Sequence, residues 1–423
     1  MEVLAPRGTR DILPDEVGLW RRIEEEARDL LESFGFSEIR TPLFEHTELF
    51  VRGIGEVTDI VEKEMYTFSD KGGRSLTLRP EGTAPVARAY VEHRMFSLGR
   101  IQKLYYMGPM FRYERPQFGR YRQHWQIGGE ILGSDSPSVD AELIFLSSQI
   151  LKRLGVKDME IGISSIGCGS CRRDFKAALR EYLSGNRQAL CGTCIERMER
   201  NIMRVLDCKE EGCRAVLQGA PSMLEYLCDN CSNHFEGVRK RLSIMGIDHS
   251  IDGHLVRGLD YYTRTVFEIS CRIKEGKIAL VGGGRYDSLI EMLGGPPTPA
   301  AGFAMGVDRV ILALGEMRGK DERPSIFVVA VGEDLFDVAF RIAEGIRNGI
   351  MGVSVIMGDE RVPLKKQLRE ASRWGARVSV IIGPDELRDG SVSIKDMESG
   401  DQEKVAMDMV LDRIRRKVRG DEV

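Results

Sequence analysis

A short polar segment divides this chain into two parts with different patterns of apolar residues. Residues Gly315–Pro324 (GEMRGKDERP) are mostly charged and end at a proline, which is typical of a linker. Before this segment, short apolar runs alternate with turn residues, a pattern that favours antiparallel strands. After it, strand-like and helix-like runs alternate, which favours a βαβαβ unit with a mostly parallel sheet. We therefore predict two domains, residues 1–320 and 325–423.

Length and composition are those of an ordinary globular protein. A chain of 423 residues exceeds the size that one core usually serves, so two or three domains are expected. No apolar run approaches the roughly 20 residues of a membrane span, and the N-terminus lacks the layout of a signal peptide. We expect a cytoplasmic protein that has no membrane association.

Eight of the nine cysteines fall in four closely spaced pairs within the first part of the chain. The pairs are Cys168/Cys171, Cys191/Cys194, Cys208/Cys213 and Cys228/Cys231. In a cytosolic protein, repeated C-x-x-C spacing points to zinc before disulfides. The surrounding residues, about 165–232, are charged and helical in pattern, so we predict a helical insertion. One Zn²⁺ held by Cys168, Cys171, Cys191 and Cys194, two held by all eight, and free thiols remain alternatives.

Two polar stretches place acidic and amide side chains on one side of predicted strands. In TLRPEGT, Arg79 and Glu81 are two positions apart and face the same way on an extended chain. In HWQIGGE, Gln126 and Glu130 share a face, and Glu130 stands among apolar residues. Because a buried carboxylate needs a partner or a ligand, the second stretch predicts a polar binding pocket. For the first stretch, an exposed ion pair is an equal alternative.

Other segments carry arginines where phosphate could bind. GPMFRYERPQF predicts an arginine-rich turn that includes Arg112, and guanidinium groups match phosphate oxygens bidentately. GFAMGVDR predicts a strand opening into a helix, with Arg309 at the positive end of that helix, where an anion would be favourable. The triplet Gly282–Gly284 predicts a glycine-rich turn packed under a ligand, and it matches no phosphate-loop or dinucleotide pattern. For both basic segments, the alternative is that the arginines are exposed to solvent and bind no phosphate.

The stretch from Leu255 to Ile269 (LVRGLDYYTRTVFEI) combines a cation with aromatic rings. Arg257, Asp260, Tyr261 and Tyr262 lie within six residues, flanked by apolar strand-formers. Such a segment can hold a guanidinium and two rings over a single pocket.

Together these segments resemble the class II aminoacyl-tRNA synthetases, and specifically the histidyl-tRNA synthetase family. GFSEIRTPLFEHTELF, FRYERPQFGRYRQHWQIGGE and AGFAMGVDRV resemble motifs 1, 2 and 3, and LVRGLDYYTRTVFE and VGGGRYD resemble the two histidine boxes. The resemblance covers essentially the whole chain. It implies an α+β protein in which an antiparallel-sheet class II catalytic domain with a helical insertion precedes a C-terminal α/β anticodon-binding domain.

The resemblance also implies an activity, that of a histidine–tRNA ligase. ATP with Mg²⁺ would activate histidine, and the histidyl group would pass to the 3′ end of tRNA(His). By family position, Arg112 and Arg257 contact the α-phosphate, Arg309 holds the distal end of ATP, and Glu114 belongs to the ATP site. These three arginines are the implied catalytic residues.

The same resemblance implies how the amino acid is recognised. Glu81 would bind the ammonium group of histidine, while Glu130 and Tyr262 would meet the donor and the acceptor of a neutral imidazole. The implied histidine-binding set is Glu81, Thr83, Gln126, Glu130, Arg257, Tyr261 and Tyr262. The family also forms homodimers through motif 1, around a proline that is Pro42 here.

Two rival functions share this fold. A catalytically silent paralogue would act as the regulatory subunit of ATP phosphoribosyltransferase, and a sensor would bind histidine or tRNA without turnover. Such paralogues typically lack the anticodon-binding domain and have eroded histidine boxes. Arg112, Arg257 and both tyrosines are present here, and a C-terminal unit with a basic final helix follows. These features favour the enzyme.

Overall fold

The computed structural model describes residues 3–55, 58–116, 118–256, 258–315 and 325–419, apart from the side chains of Glu333 and Arg419. The chain separates into two compact units, residues 1–319 and 320–423. Arg257 and most of the predicted linker lie outside the described residues. Within the described ranges, every helix is too short or too polar to cross a membrane.

The first unit is built on an eight-stranded sheet in the order β1-β5-β6-β11-β10-β9-β7-β8 and a small sheet in the order β2-β4-β3. The large sheet is antiparallel except for the pairs β1–β5 and β7–β8 at its edges. The strands are β1 (Ser37–Glu38), β2 (Phe44–His46), β3 (Tyr66–Ser69), β4 (Ser75–Leu78), β5 (Gln102–Phe111), β6 (Gln123–Leu132), β7 (Met159–Ser165), β8 (Ser250–Ile251), β9 (Thr263–Ile273), β10 (Gly276–Arg285) and β11 (Ala300–Gly306).

Helices cover this sheet and form the insertion. They are α1 (Pro14–Ser33), α2 (Thr47–Ile54), α3 (Thr83–Glu92), α4 (Pro137–Leu154), α5 (Gly169–Gly185), α6 (Gly192–Arg200), α7 (Glu211–Leu217), α8 (Asp229–Ile244), α9 (Leu289–Met292) and α10 (Val307–Leu314). A π-helical turn spans Ile60–Glu64, and a 3₁₀ turn spans Ile202–Asp207. Helix α1 buries its apolar side, including Trp20 and Ile23, in the main core, as its helical spacing predicts.

Two local predictions for this unit are wrong. The helical spacing of apolar residues from Trp20 to Phe34 predicts a helix capped near Asp15. Helix α1 instead begins after Leu13, which makes no side-chain cap, and Pro14 occupies its first turn. The triplet Gly282–Gly284 lies within strand β10, not in a turn. Glycine is needed there because a Cβ at Gly283 would lie 2.5 Å from the Gly302 carbonyl oxygen. The expected close backbone packing is therefore present, but it occurs between strands.

The cysteine-rich insertion is helical, as predicted, and consists of α5, α6, α7 and the start of α8. It has a small core of its own, which includes Phe175, Leu179 and Leu183 together with four of the cysteines. Helix α8 continues to Ile244, beyond the predicted end at 232, because Phe235 and Val238 pack into the main core. The insertion is thus anchored to the large sheet through its last helix.

The second unit contains a five-stranded sheet in the order β13-β12-β14-β15-β16. Strands β13, β12 and β14 are parallel, as the alternating pattern predicts, and β15 and β16 add an antiparallel hairpin. The elements are β12 (Ser325–Ala330), α11 (Phe336–Gly349), β13 (Ser354–Met357), α12 (Leu364–Arg373), β14 (Ala376–Ile382), α13 (Pro384–Arg388), β15 (Ser391–Asp396), β16 (Gln402–Ala406) and α14 (Val410–Arg419).

Candidate active site

Glu130 lies at the centre of the large sheet in a cluster of buried polar side chains, the candidate pocket. Its side chain is fully buried on β6, where Thr83 Oγ1 donates to Oε1 at 2.7 Å and the Tyr286 hydroxyl donates to Oε2. The facing residue on β11 is Gly302, and a Cβ there would lie 1.6 Å from Glu130 Oε2. Only glycine leaves room for this carboxyl group, which explains part of the small-residue run in GFAMG.

A second buried carboxyl group, Glu81, lies at the start of helix α3. Its oxygens accept the backbone N–H groups of Thr83 at 2.6 Å and Ala84 at 2.8 Å. Arg79 points elsewhere and donates to the carbonyl oxygens of Pro109 at 3.0 Å and Thr41 at 3.2 Å. Both Arg79 and Glu81 are buried, so the alternative of an exposed ion pair between them is wrong.

Burial makes both carboxyl groups reluctant to ionise. It raises the pKa of Glu130 to about 8, and the nearby Glu81 adds to the rise, while hydrogen bonds from Tyr286 and Thr83 oppose it. Burial also raises the pKa of Glu81, which the two backbone N–H groups oppose. Two such groups in one pocket favour a ligand that brings positive charge and hydrogen-bond donors.

Tyrosine rings surround these carboxyl groups. The ring centroids of Tyr261 and Tyr262 are 4.9 Å apart, and those of Tyr261 and Tyr286 are 5.6 Å apart with the rings edge to face. All three side chains are buried, and their hydroxyl groups provide polar contacts within an aromatic wall. Tyr262 is also hydrogen-bonded through its carbonyl oxygen, which accepts from Arg172 of the insertion at 2.7 Å.

Tyr106 and Gln126 complete the pocket. The Tyr106 ring lies between two glycines, since a Cβ at Gly82 or Gly128 would come within 2.2 Å or 2.3 Å of it. The Tyr106 hydroxyl lies beside Thr83 and Glu130. The Gln126 Oε1 atom is buried without a hydrogen-bond partner among the described residues. Because such an atom is costly unless paired, a polar ligand is its natural partner.

Tyr106 and Tyr286 are site residues that sequence reasoning missed. Tyr106 faces Gly128 across the β5–β6 pair, and its ring fills the space that the glycine leaves. The paired pattern of an aromatic residue on one strand and a glycine on the next was the available signal. Recognising this pattern requires the register between the two strands, which local spacing does not supply.

A basic region lies at the loop between β5 and β6. Arg112 donates through Nε to the Pro80 carbonyl oxygen at 2.8 Å, which ties it to the loop that carries Glu81. Its Nη1 atom is 3.9 Å from Glu114 Oε1, and Arg120 lies 3.1 Å from the other oxygen of Glu114. Glu114 is therefore held between two guanidinium groups.

Arg309 lies in the first turn of α10 and approaches the same region from β11. Its guanidinium donates to the carbonyl oxygens of Gly119 and Ala279, each at 3.1 Å. Burial lowers the pKa of His124 to about 3, and the positive charges of Arg112 and Arg309 lower it further. The two arginines thus flank one neutral imidazole. Arg257 was predicted to join them, and its placement lies outside the described residues.

The eight paired cysteines form two groups of four, and within each group the sulfur atoms lie within 4.8 Å of one another. The groups are Cys168, Cys171, Cys228 and Cys231, and Cys191, Cys194, Cys208 and Cys213. The Cys168–Cys171 and Cys191–Cys208 sulfur pairs are 3.5 Å and 3.9 Å apart, close to the about 3.8 Å edge of a tetrahedral Zn–S₄ centre. All nine thiols are free of disulfides.

The one-zinc combination of Cys168, Cys171, Cys191 and Cys194 is therefore corrected, because the fold separates its two pairs. The starts of α5 and α8 meet, which joins the first C-x-x-C pair to the last one. The two middle pairs join each other around α6. The two-site alternative agrees with this arrangement.

Comparisons with known proteins agree with this fold. Residues 8–310 match the family model described as histidyl-tRNA synthetase, and residues 325–417 match the anticodon binding domain model. A histidine–tRNA ligase of Pelotomaculum thermopropionicum is 46% identical over 98% of both chains. Another, from Halothermothrix orenii, is 46% identical over 99% of this chain and 100% of its own.

Solved structures give the same result. The apo histidyl-tRNA synthetase of S. aureus superposes with a TM-score of 0.81 at 34% identity, covering 98% of this chain and 100% of its own. A Bacillus halodurans protein described as an ATP phosphoribosyltransferase regulatory subunit/histidyl-tRNA synthetase shares the fold, with a TM-score of 0.66 at 21% identity. Full-length similarity at the higher identities, rather than the shared fold, distinguishes the enzyme from the regulatory rival. The chain therefore belongs to the histidyl-tRNA synthetases, the class II aminoacyl-tRNA synthetases that act as histidine–tRNA ligases.

Proposed function

We propose that the pocket above Glu130 binds histidine and that this chain joins it to tRNA(His) in two steps. In the first, a carboxylate oxygen of histidine attacks the α-phosphorus of ATP, forming histidyl-adenylate and releasing pyrophosphate. In the second, a hydroxyl group of the terminal ribose of the tRNA attacks the acyl carbon and AMP leaves. Mg²⁺ enters with ATP and neutralises its phosphates.

The buried carboxyl of Glu130 carries this proposal. It is fully buried, and an imidazole N–H could donate to it. Tyr262, beside Tyr261 in the aromatic wall, is proposed to serve the other ring nitrogen. Glu81 is the second acidic group and suits the ammonium of histidine. The Gln126 Oε1 atom, which is buried without a partner among the described residues, supplies a further polar contact.

Recognition of this kind explains specificity without an editing step. An amino acid that lacks the imidazole donor and acceptor would leave Glu130 and its hydrogen-bonded neighbours unmatched in a buried site. Rejection by unpaired polar groups reaches about 10⁴-fold or more.

Arg112 and Arg309 are proposed to position ATP. Negative charge accumulates on the α-phosphate oxygens during adenylation, and positive groups that are already in place stabilise it without reorganisation. Arg112 is held by the Pro80 carbonyl oxygen, and Arg309 by two further carbonyl oxygens, so neither needs to be ordered by the substrate. Glu114 is assigned to the ATP site beside Arg112, and Arg257 retains the α-phosphate contact implied by its family position.

The second unit is proposed to bind the anticodon of the tRNA. Its final helix, α14, carries Arg413, Arg415, Arg416 and Lys417. Arg413 and Lys417 share Glu403 as an acidic neighbour at 2.7 Å and 3.4 Å, while Arg416 is exposed. Exposed positive charge near phosphate is the general source of tRNA affinity.

We further propose that the two cysteine groups each hold a structural Zn²⁺. Four thiolates at tetrahedral spacing form a closed site that contributes to folding, not to the reaction. A homodimer formed through the segment around Pro42, and a cytoplasmic location, are also carried by the family resemblance.

Amino-acid-dependent exchange of pyrophosphate into ATP tests the central proposal. Purified chain with Mg²⁺ is assayed with each of the 20 amino acids separately, and exchange is expected with histidine alone. Aminoacylation of tRNA(His) then tests the second step. Folded protein that binds histidine without any exchange would instead support the regulatory or sensor function.

A further inference from the structure

One segment of the insertion contacts the histidine box directly. The side-chain amide of Asn201 donates to both carboxylate oxygens of Asp260, each at 3.1 Å. Asp260 immediately precedes the tyrosines that wall the pocket, and its backbone N–H donates to the Ile54 carbonyl oxygen at the end of α2. Asn201 therefore holds Asp260, the residue directly before Tyr261 and Tyr262, in place.

Arg204 acts on the same loop from the next turn of the insertion. Its Nη1 atom lies 3.0 Å from where a Cβ of Gly258 would be, so the guanidinium lies against the backbone of the histidine box. Its Nη2 atom donates to Asp59 Oδ2 at 2.6 Å, which joins the histidine box to the π-helical turn at Ile60–Glu64. The Arg204 side chain is only 15% exposed, so this ion pair is partly shielded from solvent.

The contacting residues lie inside a loop that a cysteine group closes. Both Asn201 and Arg204 lie between Cys194 and Cys208, which belong to the same group of four. A metal bound to that group would tie the two ends of the segment together, as loop closure by a metal clip does. Without it, the segment would depend on the 3₁₀ turn at Ile202–Asp207 and a few apolar contacts.

We propose that Asn201 and Arg204 are positioning residues for the histidine pocket, and that a metal bound to Cys191, Cys194, Cys208 and Cys213 holds them in place. The proposal rests on the function proposed above, in which this pocket binds histidine. The insertion thereby supports amino-acid binding without touching the substrate.

The size of the effect follows from the contacts. Hydrogen bonds to a charged group that are replaced by repulsion typically weaken binding by about tenfold to hundredfold. The contacts converge on the loop before Tyr261, whereas Arg112 and Arg309 are held by carbonyl oxygens elsewhere. Arg257, on the same loop, is assigned to the α-phosphate, so loss of Asn201 should raise the KM for histidine more than the KM for ATP.

A charge exchange provides the first test, read out by pyrophosphate exchange. Asn201→Asp places a carboxylate against Asp260, and we expect the KM for histidine to rise at least about tenfold. Adding Asp260→Asn recreates an amide–carboxylate pair with its polarity reversed and should recover most of the loss. Arg173→Ala is the matched control, because this insertion residue is 79% exposed and its ion-pair partner among the described residues is its neighbour Asp174. An unchanged KM for histidine in Asn201→Asp, or equal losses for histidine and ATP without rescue, would overturn the proposal.

Cys208→Ser provides the second test, with zinc content as a readout that does not depend on activity. We expect this variant to contain one Zn²⁺ instead of two and to show a raised KM for histidine. Adding Asn201→Asp to Cys208→Ser should raise the KM for histidine little further, since the segment between Cys194 and Cys208 is already released. A variant that loses zinc but keeps its KM, or a folded wild-type chain without zinc, refutes the role of the metal. If Cys208→Ser does not fold, the charge-exchange pair still decides the role of Asn201. A wild-type chain with no histidine-dependent exchange contradicts the proposed function, and that outcome is distinct from the others.

Discussion

The substitution Glu130→Gln tests whether histidine binding is linked to ionisation of this buried carboxyl group. Burial raises the pKa of Glu130 to about 8, so in the free protein at pH 7 the group is mostly protonated. Only about one molecule in ten then carries the carboxylate, from the difference of one pH unit. A neutral imidazole that donates to Glu130 binds the carboxylate more strongly than the protonated acid, so we expect the proton to leave when histidine binds.

The expected magnitude follows from that population. The affinity for histidine at pH 7 should be about tenfold weaker than with Glu130 fully ionised, a difference of about 1.4 kcal/mol in binding free energy. The sign is set by the raised pKa: the proton blocks the acceptor below about pH 8, and binding strengthens as pH rises through that value. Above it, the contribution of Glu130 levels off.

Calorimetric titration with histidine between pH 6.5 and 9 measures this directly. Because the amino and imidazole groups of the ligand also titrate, the informative quantity is the ratio of the affinities of wild type and Glu130→Gln. We expect this ratio to rise about thirtyfold across the range, because the ionised fraction of Glu130 rises by about that factor between pH 6.5 and 9. Measurements in two buffers of different ionisation enthalpy should show that wild type releases about 0.9 more of a proton at pH 7 than the variant. A ratio that does not change with pH, or equal proton release, would refute the assignment of Glu130 as a titrating acceptor.

Three further predictions concern other parts of the chain. Arg112→Ala should slow single-turnover adenylation by about 10²-fold while histidine binding persists, and a near-normal rate would exclude its phosphate role. Asp140→Asn should destabilise the catalytic unit by about 3 kcal/mol in chemical denaturation, because Arg285, buried and 2.6 Å away, loses a counter-charge and keeps only Asp287; an unchanged unfolding free energy would contradict this. Deleting residues 325–423 should abolish tRNA charging and spare pyrophosphate exchange, whereas loss of both would indicate a structural role.

Long elements with a clear period were predictable from the sequence. The apolar patterns predict strands over 104–111 and 124–131 and a helix over 135–155. The strands β5 and β6 and the helix α4 end within two residues of these bounds, because their apolar patterns are long and turn residues bound them. The two-residue period of a strand also placed Gln126 and Glu130 on one face correctly. Helix α3 was missed, although its first residue is Thr83, since its start is capped by the preceding Glu81 and not by a residue of the usual N-cap kind.

The sequence by itself determined the class of the protein, since the motifs, the histidine boxes and the two-part pattern are local and survive without knowledge of the contacts. Tertiary structure alone decided which cysteines meet, because spacing defines pairs within a helix turn, whereas the meeting of the starts of α5 and α8 selects the partner pair. It also decided that Tyr106 and Tyr286 complete the pocket, through the register of neighbouring strands and the room left by glycines. Contacts between residues as distant as Asn201 and Asp260 arise only when the chain is closed into its fold.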